Sequence, residues 1–488
     1  MAYRILAWFL RVVTRVFFRQ VEVAGLEHVP AEGPVLFCGN HPNSLIDPIL
    51  IITTCGRKVH FAAKDTLFKG RIMRALLRGL GAVPVARKEE KDGGQVEAGP
   101  VRDAAERAST NDKAFGAMFS VLAGGGTIGI FPEGLSHDES QLAKLKTGAA
   151  RLALGGADQA GRPITIVPCG MTFIHPKRFR SRVLVQYGPP IVIEPGRGTE
   201  KPAVTAVTAD IEGALRRLTI NAPDWETVRA LDVVRRLYQP QEISIEDRVE
   251  LARRFNAYYG QVAQEPKVLA LMARVRAYQQ KLDELGITDR ELARDLSKLE
   301  IVGRVVRHLA LVAFWLPLSA PGAPFHIPTF AFARIAGPRL TPRKDVVATT
   351  KLLVGMLLVL LSYGVCVGIL WSKAGFSWAL LAAIVLPASG WATLRVLDRL
   401  RLVRRGFAAL FRRLAFRKEV LKLRAERYTL AEDVIRTVTE VKPAHVEALF
   451  PPDHPDRLLE HGEEDSRARR NADLDAEYDK DAAEAREP

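Results

Sequence analysis

Two neighbouring stretches of this chain carry no charge: "LLVGMLLVLLSYGVCVGILW" (residues 352–371) and "FSWALLAAIVLPASGWATL" (residues 376–394). Some twenty apolar residues wound as a helix reach across a hydrocarbon core of ~30 Å, and in lipid only a helix or a closed barrel satisfies the backbone. Together with the short connection at 372–375, they predict a transmembrane helical hairpin over residues 345–395. Trp371, Trp378 and Trp391 stand near the span ends, where amphipathic aromatic rings favour the interface. A buried hairpin in a soluble protein is the alternative. Arg343, Lys344 and Lys351 precede the pair and Arg395, Arg399, Arg401, Arg404 and Arg405 follow it, whereas the connection holds only Lys373. Basic residues stay cytoplasmic, so both ends of the hairpin are expected on that side of a membrane.

The rest of the chain is of a different kind. With 48% hydrophobic residues and a mean hydropathy of +0.02, most of the 488 residues cannot lie in lipid. Residues 20–222 alternate short apolar runs with helical patterns. Strands are predicted at 20–23, 34–38, 59–62, 82–84, 127–131, 164–171 and 182–187, which implies an α/β domain with a mixed, largely parallel sheet flanked by helices. The polar stretch 87–112 reads as a surface loop with one helical turn. Residues 223–305 repeat apolar positions at i, i+3, i+4 and i+7 and form a helical region, with Ser244 and Asp247 as an N-terminal capping signal.

Residues 306–335 are apolar but interrupted by Pro317, Pro321, Pro324 and Pro328, and read as a re-entrant or interfacial segment. Residues 396–450 form basic juxtamembrane helices, and 451–488 a charged, disordered tail. Residues 1–19 space Arg4, Arg11, Arg15 and Arg19 among Trp8, Phe9, Val12 and Phe17, as in an interfacial amphipathic helix. A helix packed on the domain itself is the alternative.

The formal net charge of +15 calls for an anionic partner. The juxtamembrane arginines answer it with a lipid surface, and no zinc-finger, RNP or basic-zipper pattern supports nucleic acid. The four cysteines, Cys38, Cys55, Cys169 and Cys366, show no C-x-x-C spacing, and no histidine spacing suggests a metal site, so neither disulfides nor a metal is expected.

Chemistry is expected where apolar strands end. "FCGNHPNSLIDPIL" (residues 37–50) runs a strand into His41, with Asp47 six positions on. His41 is either a structural strand-end residue or a base. Asp47 is either its carboxylate partner or the N-cap of a helix over 49–55, with Pro48 at N1 and Gly56 as the stop. "GAVPVAR" (81–87) ends a strand-like run on Arg87, "IFPEGLSHD" (130–138) sets Glu133 and Gly134 at a turn, and "IVPCGM" (166–171) breaks a buried strand with Pro168. Strand ends of α/β sheets line ligand crevices. The consecutive Ser136, His137 and Asp138 spell a triad that neighbours in sequence rarely build. Cys169 reads as a small core residue.

In this order, "NHPNSLID", "GAVPVAR", "FPEGLS" and "IVP" resemble the signature blocks of the glycerolipid (PlsC-like) acyltransferase superfamily, over roughly residues 15–215. Most members place four residues between the histidine and the aspartate; here there are five. That longer form, with "PEGLSHD", "ELGITDREL" and "LTPRKDVVATTKLLVG", resembles the fungal-type glycerol-3-phosphate/dihydroxyacetone-phosphate acyltransferases. The resemblance implies acyl transfer from an acyl thioester, either acyl-CoA or an acyl-carrier protein, to a phosphorylated glycerol, without a cofactor or metal. It casts His41 as general base and Asp47 as its partner. Arg87 and Lys64 then meet the acceptor phosphate. Glu133, Gly134, Ser136 and Gly81 shape the acceptor site, and Val167 and Pro168 are acyl-pocket candidates. Glycerol 3-phosphate is the expected acceptor and lysophosphatidate or another lysophospholipid the alternative. An inert membrane-binding scaffold is the reading from another class.

Overall fold

A computed structural model of the chain describes residues 2–64, 68, 70–85, 104–222, 224–239, 243, 245–293, 298–341 and 343–442. Two compact units are present, the first made of Met1–Asn221 and Arg343–Thr349, the second of Ala222–Pro342 and Thr350–Pro488.

The first unit opens with α1 (Ala2–Phe17) and β1 (Gln20–Ala24). Then follow β2 (Val35–Gly39), α2 (Ile46–Thr54), β3 (Val59–Lys64), α3 (Arg71–Gly79) and β4 (Val83–Val85). After α4 (Ala104–Ala123) and β5 (Thr127–Ile130) come α5 (Gly148–Ala160), β6 (Ile164–Phe173), β7 (Arg182–Tyr187), β8 (Ile191–Ile193) and α6 (Lys201–Leu218). The sheet order is β1-β7-β6-β2-β5-β3-β4, with β8 also beside β6. Strands β6, β2, β5, β3 and β4 are mutually parallel, and β7 and β8 run antiparallel to β6. The sheet is mixed and mostly parallel, as the alternation of elements implies. Strand-by-strand register sets Val35 level with Thr127 and Val59 level with Thr127, so the residues after β2, β5 and β3 all emerge at one end.

Alternate positions explain the burial. Leu36, Cys38, Ile128, Ile164 and Ile166 share one face and join Met118, Leu122, Leu152, Leu154, Val207 and Ile211 in a single apolar cluster. The helices α4, α5 and α6 thus cover that face. Pro168 sits inside β6 without a donor, which a central strand rarely tolerates. Its carbonyl accepts the Gly188 N–H at 2.9 Å, on the edge where β7 stops and Pro189 and Pro190 interrupt the chain before β8. The missing N–H therefore falls at a break that the partner strand already has. The short β8 follows that break and has no sequence pattern of its own. Helix α4 begins at Ala104, so residues 104–112 are helical where a loop is expected. "AAERASTND" shows no apolar period, but its alanines favour helix. Residues 87–103 lie outside the described residues.

The second unit is helical: α7 (Trp225–Tyr238), α8 (Ile245–Val262), α9 (Pro266–Leu285), α10 (Asp289–Ala293), α11 (Lys298–Ser319), α12 (Ala323–Leu340), α13 (Val347–Ala374), α14 (Phe376–Ala415) and α15 (Arg417–Val441). Only the first residues of α13, Val347–Thr349, belong to the first unit. Asp224 caps α7 by accepting the Thr227 N–H at 2.7 Å. The capping signal expected at Ser244 lies outside the described residues, as does the tail 451–488. Leu231, Val234, Leu271, Val275, Tyr278, Leu282, Leu430 and Val434 share one core, so α15 packs with α7 and α9.

Inside that core the Tyr278 hydroxyl donates to Asp289 at 2.7 Å and the Arg427 Nε donates to the same carboxylate at 2.9 Å. Asp289→Ala would leave a buried guanidinium and a hydroxyl unpaired. It is expected to cost about 3–5 kcal/mol, read as denaturant unfolding of the full chain in detergent. A loss under about 1 kcal/mol would show that the triad is not a staple.

Among the described residues three helical stretches are long and apolar enough to cross a membrane: Leu299–Ser319, Lys344–Ala374 and Phe376–Ala408. The proline-bearing stretch 306–335 is helical through α11 and α12, with Pro317 and Pro328 inside helices. Pro321 lies in the turn between them and Pro324 in the first turn of α12, where a missing N–H costs nothing.

Candidate active site

The buried strand β2 delivers Gly39, and Asn40 fixes the exit. Its side-chain amide donates to Met171 O at 3.1 Å, and its Oδ1 accepts the Met171 N–H at 2.7 Å. His41 then leaves the sheet and is 9% exposed. Its ring stacks on Phe131, with centroids 4.1 Å apart and planes 8° apart, and Phe131 stacks on Phe61.

Asp47 reaches that ring. The His41 Nδ1 lies 2.8 Å from Asp47 Oδ2, which also accepts the Asn43 N–H at 2.7 Å. The turn between them contains Ser44 at φ +44°, and the Ile46 N–H closes it on Asn43 O at 3.0 Å. The left-handed residue absorbs the fifth intervening position. A left-handed residue with a side chain costs about 1 kcal/mol, so Ser44→Gly is expected to stabilise the fold slightly in thermal melting without changing turnover.

Asp47 is not a helix N-cap. Leu45 holds that place, with no side-chain cap, and α2 begins at Ile46, so Asp47 lies in the first turn. There the helix dipole favours a negative charge. Burial acts the other way and pushes its carboxyl well above the ordinary 3.8; the nearby Glu133 and Asp345 carboxylates add to this, and the Asn43 N–H opposes it. Among the described residues the Asp47 Oδ1 has no hydrogen-bond partner. With Asp47 ionised and Nδ1 donating, the lone pair of His41 lies on Nε2, the atom that can take a proton.

Glu133, 2% exposed, is used by the fold. One oxygen accepts the His41 backbone N–H at 2.8 Å, and the other accepts the Ala143 N–H at 2.8 Å and meets the His137 ring. That ion-pair hydrogen bond raises the His137 pKa against the opposing effect of burial. The His137 N–H donates to His41 O at 3.1 Å. Glu133 was expected to hold the acceptor, whereas here it fixes the backbone of His41. Gly134 turns at φ +76°, and a Cβ there would lie 2.7 Å from the Lys146 side chain, which runs across it. Lys146 has no ion-pair partner among the described residues and stands as a cation beside this turn. The Ser136 hydroxyl donates to Asp345.

Ser136, His137 and Asp138 turn to three different partners, Asp345, Glu133 and Lys177, so they form no triad. Burial pushes the Cys169 thiol up, as suits a core residue.

Other expected site residues fall elsewhere. Gly81 precedes β4 and touches the His60 ring; the register from Val83 to Ala62 and from His60 to Ile128 puts it about 15 Å below His41 along the strands. It lies in a turn at the end of the sheet away from His41. Val167 and Pro168 are buried neighbours on one strand. As strand neighbours they belong to opposite faces of the sheet. Lys64 ends β3 at the His41 end of the sheet, level with Val85 of β4, and Arg87 lies outside the described residues. No group of histidine, cysteine and acidic side chains suited to a metal occurs among the described residues.

Sequence reasoning missed Asn40, Asn43, Phe131, Lys146, Arg343 and Asp345. Asn40 and Asn43 stood beside His41 in the first motif, Phe131 beside Glu133 in another, and Arg343 and Asp345 in "LTPRKDVVATTKLLVG", none of them with a role of its own.

Comparison with known proteins matches residues 20–172 to the Acyltransferase family and residues 230–446 to the Glycerol-3-phosphate acyltransferase 2 C-terminal domain. Glycerol-3-phosphate O-acyltransferase 2 of Saccharomyces cerevisiae is 25% identical over 475 residues, covering 74% of this chain and 64% of its own. The chain thus spans less than two thirds of that relative. An uncharacterized acyltransferase of Schizosaccharomyces pombe is 26% identical, covering 92% of this chain and 82% of its own. A solved structure, the 1-acyl-sn-glycerophosphate (LPA) acyltransferase PlsC of Thermotoga maritima, aligns at 17% identity with a TM-score of 0.32, over 43% of this chain and 76% of its own.

Proposed function

We propose that this chain, a PlsC-like acyltransferase joined to the C-terminal domain of glycerol-3-phosphate acyltransferase 2, acylates glycerol 3-phosphate for phospholipid synthesis. The observation that carries the reading is the 2.8 Å pair of His41 and Asp47 at the carboxyl ends of parallel strands. His41 Nε2 takes the proton of the acceptor hydroxyl as its oxygen attacks the thioester carbonyl. The tetrahedral oxyanion collapses, the C–S bond breaks, and the proton passes from the imidazolium to the leaving thiolate. Asp47 stabilises the imidazolium between those steps. No acyl-enzyme is required, because the thioester is already activated. Arg87, Lys64 and Lys146 are the cations proposed for the acceptor phosphate.

The donor is proposed to be acyl-CoA or acyl-carrier protein, drawn from a lipid surface. Helix α1 exposes Ile5, Trp8, Val12 and Val16, an apolar stripe at helical spacing that suits a bilayer interface. The chain is a membrane protein, and two features support keeping its polar parts on one side, the cytoplasmic one. Arg343–Thr349 belongs to the first unit, so the chain re-enters that unit after α11 and α12. Helix α15 shares a core with α7 and α9, so α13 and α14 must cross an even number of times. A cysteine at Ser372 is expected to react with an impermeant maleimide only from the non-cytoplasmic face, and one at Gly198 only from the cytoplasmic face. Labelling of both from one face would refute this topology.

The reading is tested with an acceptor panel of glycerol 3-phosphate, dihydroxyacetone phosphate, lysophosphatidate and other lysophospholipids, using both donors and full-length protein in nanodiscs. Glycerol 3-phosphate is expected to give the highest kcat/KM. A preference for lysophosphatidate would replace the acceptor, and the absence of transfer to every acceptor would favour a scaffold.

A further inference from the structure

The turn that holds His41 is itself held by a segment 209 residues away in sequence. Asp345 is 7% exposed, and one of its oxygens accepts the Ser136 hydroxyl and the Arg343 Nη2–H, the latter at 2.7 Å. Its other oxygen accepts the Arg343 Nε–H at 3.2 Å. The same Nη2 donates to Ser136 O at 3.0 Å. Ser136 precedes His137, whose N–H meets His41 O and whose ring meets Glu133, the acceptor of the His41 N–H. Three consecutive contacts therefore join Asp345 to the backbone of His41.

This arrangement is costly unless it does something. Asp345 adds a buried carboxylate beside two others, and its charge raises the Asp47 and His137 pKa values alike. A buried acid of this kind is held by its partners rather than favoured by its surroundings. Asp345 also lies in the single turn Lys344–Val346 from which α13 continues directly into an apolar stretch.

We propose that Asp345 and Arg343 are positioning residues of the active site: they clamp the Ser136 turn onto His41. The clamp acts on the geometry of the base and not on a substrate, so its removal lowers kcat and leaves KM unchanged. Ser136 acts through the same contact, so its hydroxyl is a brace and not an acceptor ligand.

The kinetic arm of the test rests on the acyltransferase reading above; the exchange arm does not. Wild type, Ser136→Ala, Asp345→Ala, the double variant and Arg343→Lys are compared in nanodiscs. Each single alanine variant is expected to lose about tenfold in kcat, the double variant to lose no more than the larger single loss, and Arg343→Lys to retain most of the rate, because partners in one network do not add. By hydrogen exchange, the His41 and His137 amides lose protection in Asp345→Ala. Multiplicative losses, losses confined to KM, or unchanged protection of both amides would overturn the clamp. Should Asp345→Ala fail to fold, Ser136→Ala alone decides through the same two readouts. A wild type inactive on every acceptor would sink the proposed function while the exchange result still judged the clamp.

Discussion

Asp47→Asn is expected to lose about 10²–10³-fold in kcat while melting no lower than wild type at pH 8. The two halves of that result have one cause. Asparagine can place its oxygen where Oδ2 accepts from His41 and Asn43, and its amide where Oδ1 has no partner among the described residues, so none of these hydrogen bonds is lost. The charge that stabilises a developing imidazolium is gone. Stability moves the other way, because the folded-state carboxyl lies above the ordinary 3.8. The folded protein therefore binds the proton more tightly than the unfolded chain does. Stability from this group is full below 3.8 and declines as pH rises through the raised folded value. The variant carries no such decline, so its advantage in melting temperature widens from pH 4 to pH 8. Equal losses of activity and stability would show that Asp47 is structural.

The parts legible in the sequence are those set by local pattern. Seven of the strands follow apolar runs, and two of the three apolar helical stretches follow uncharged windows. His41 and Asp47 stand six residues apart and meet across one turn, so the pair was visible from its motif. What the motif hid was how the fifth intervening residue fits, because the answer is a backbone angle at Ser44.

Glu133 shows a different limit. A glutamate at a strand end suits a ligand as well as it suits a backbone N–H, and only the fold shows that both oxygens are taken. Gly81 was placed by its motif beside Arg87, but the five residues from Gly81 to Val85 run along the sheet to its other end. Asp345 and Arg343 stand in "LTPRKDVVATTKLLVG", a stretch that nothing in the sequence links to the site. Their contact with Ser136 exists because the chain returns to the first unit before α13, and no local periodicity records a return of that kind. The polar helix before Lys113 was hidden for the opposite reason, since a helix without an apolar stripe shows propensity but no period.

The central claim is that His41 is the base, and His41→Gln tests it with the least disturbance. Glutamine can donate to Asp47 and occupy the space beside Phe131, but its amide cannot accept a proton at neutral pH. Its backbone N–H still meets Glu133 and its carbonyl still meets His137. The decisive measurement is the single-turnover rate of labelled acyl transfer from acyl-CoA to glycerol 3-phosphate by full-length His41→Gln in nanodiscs, with thermal melting on the same sample. A fall of about 10³-fold or more at an unchanged melting temperature is the predicted result. A folded His41→Gln protein that transfers the acyl group at the wild-type rate would contradict it.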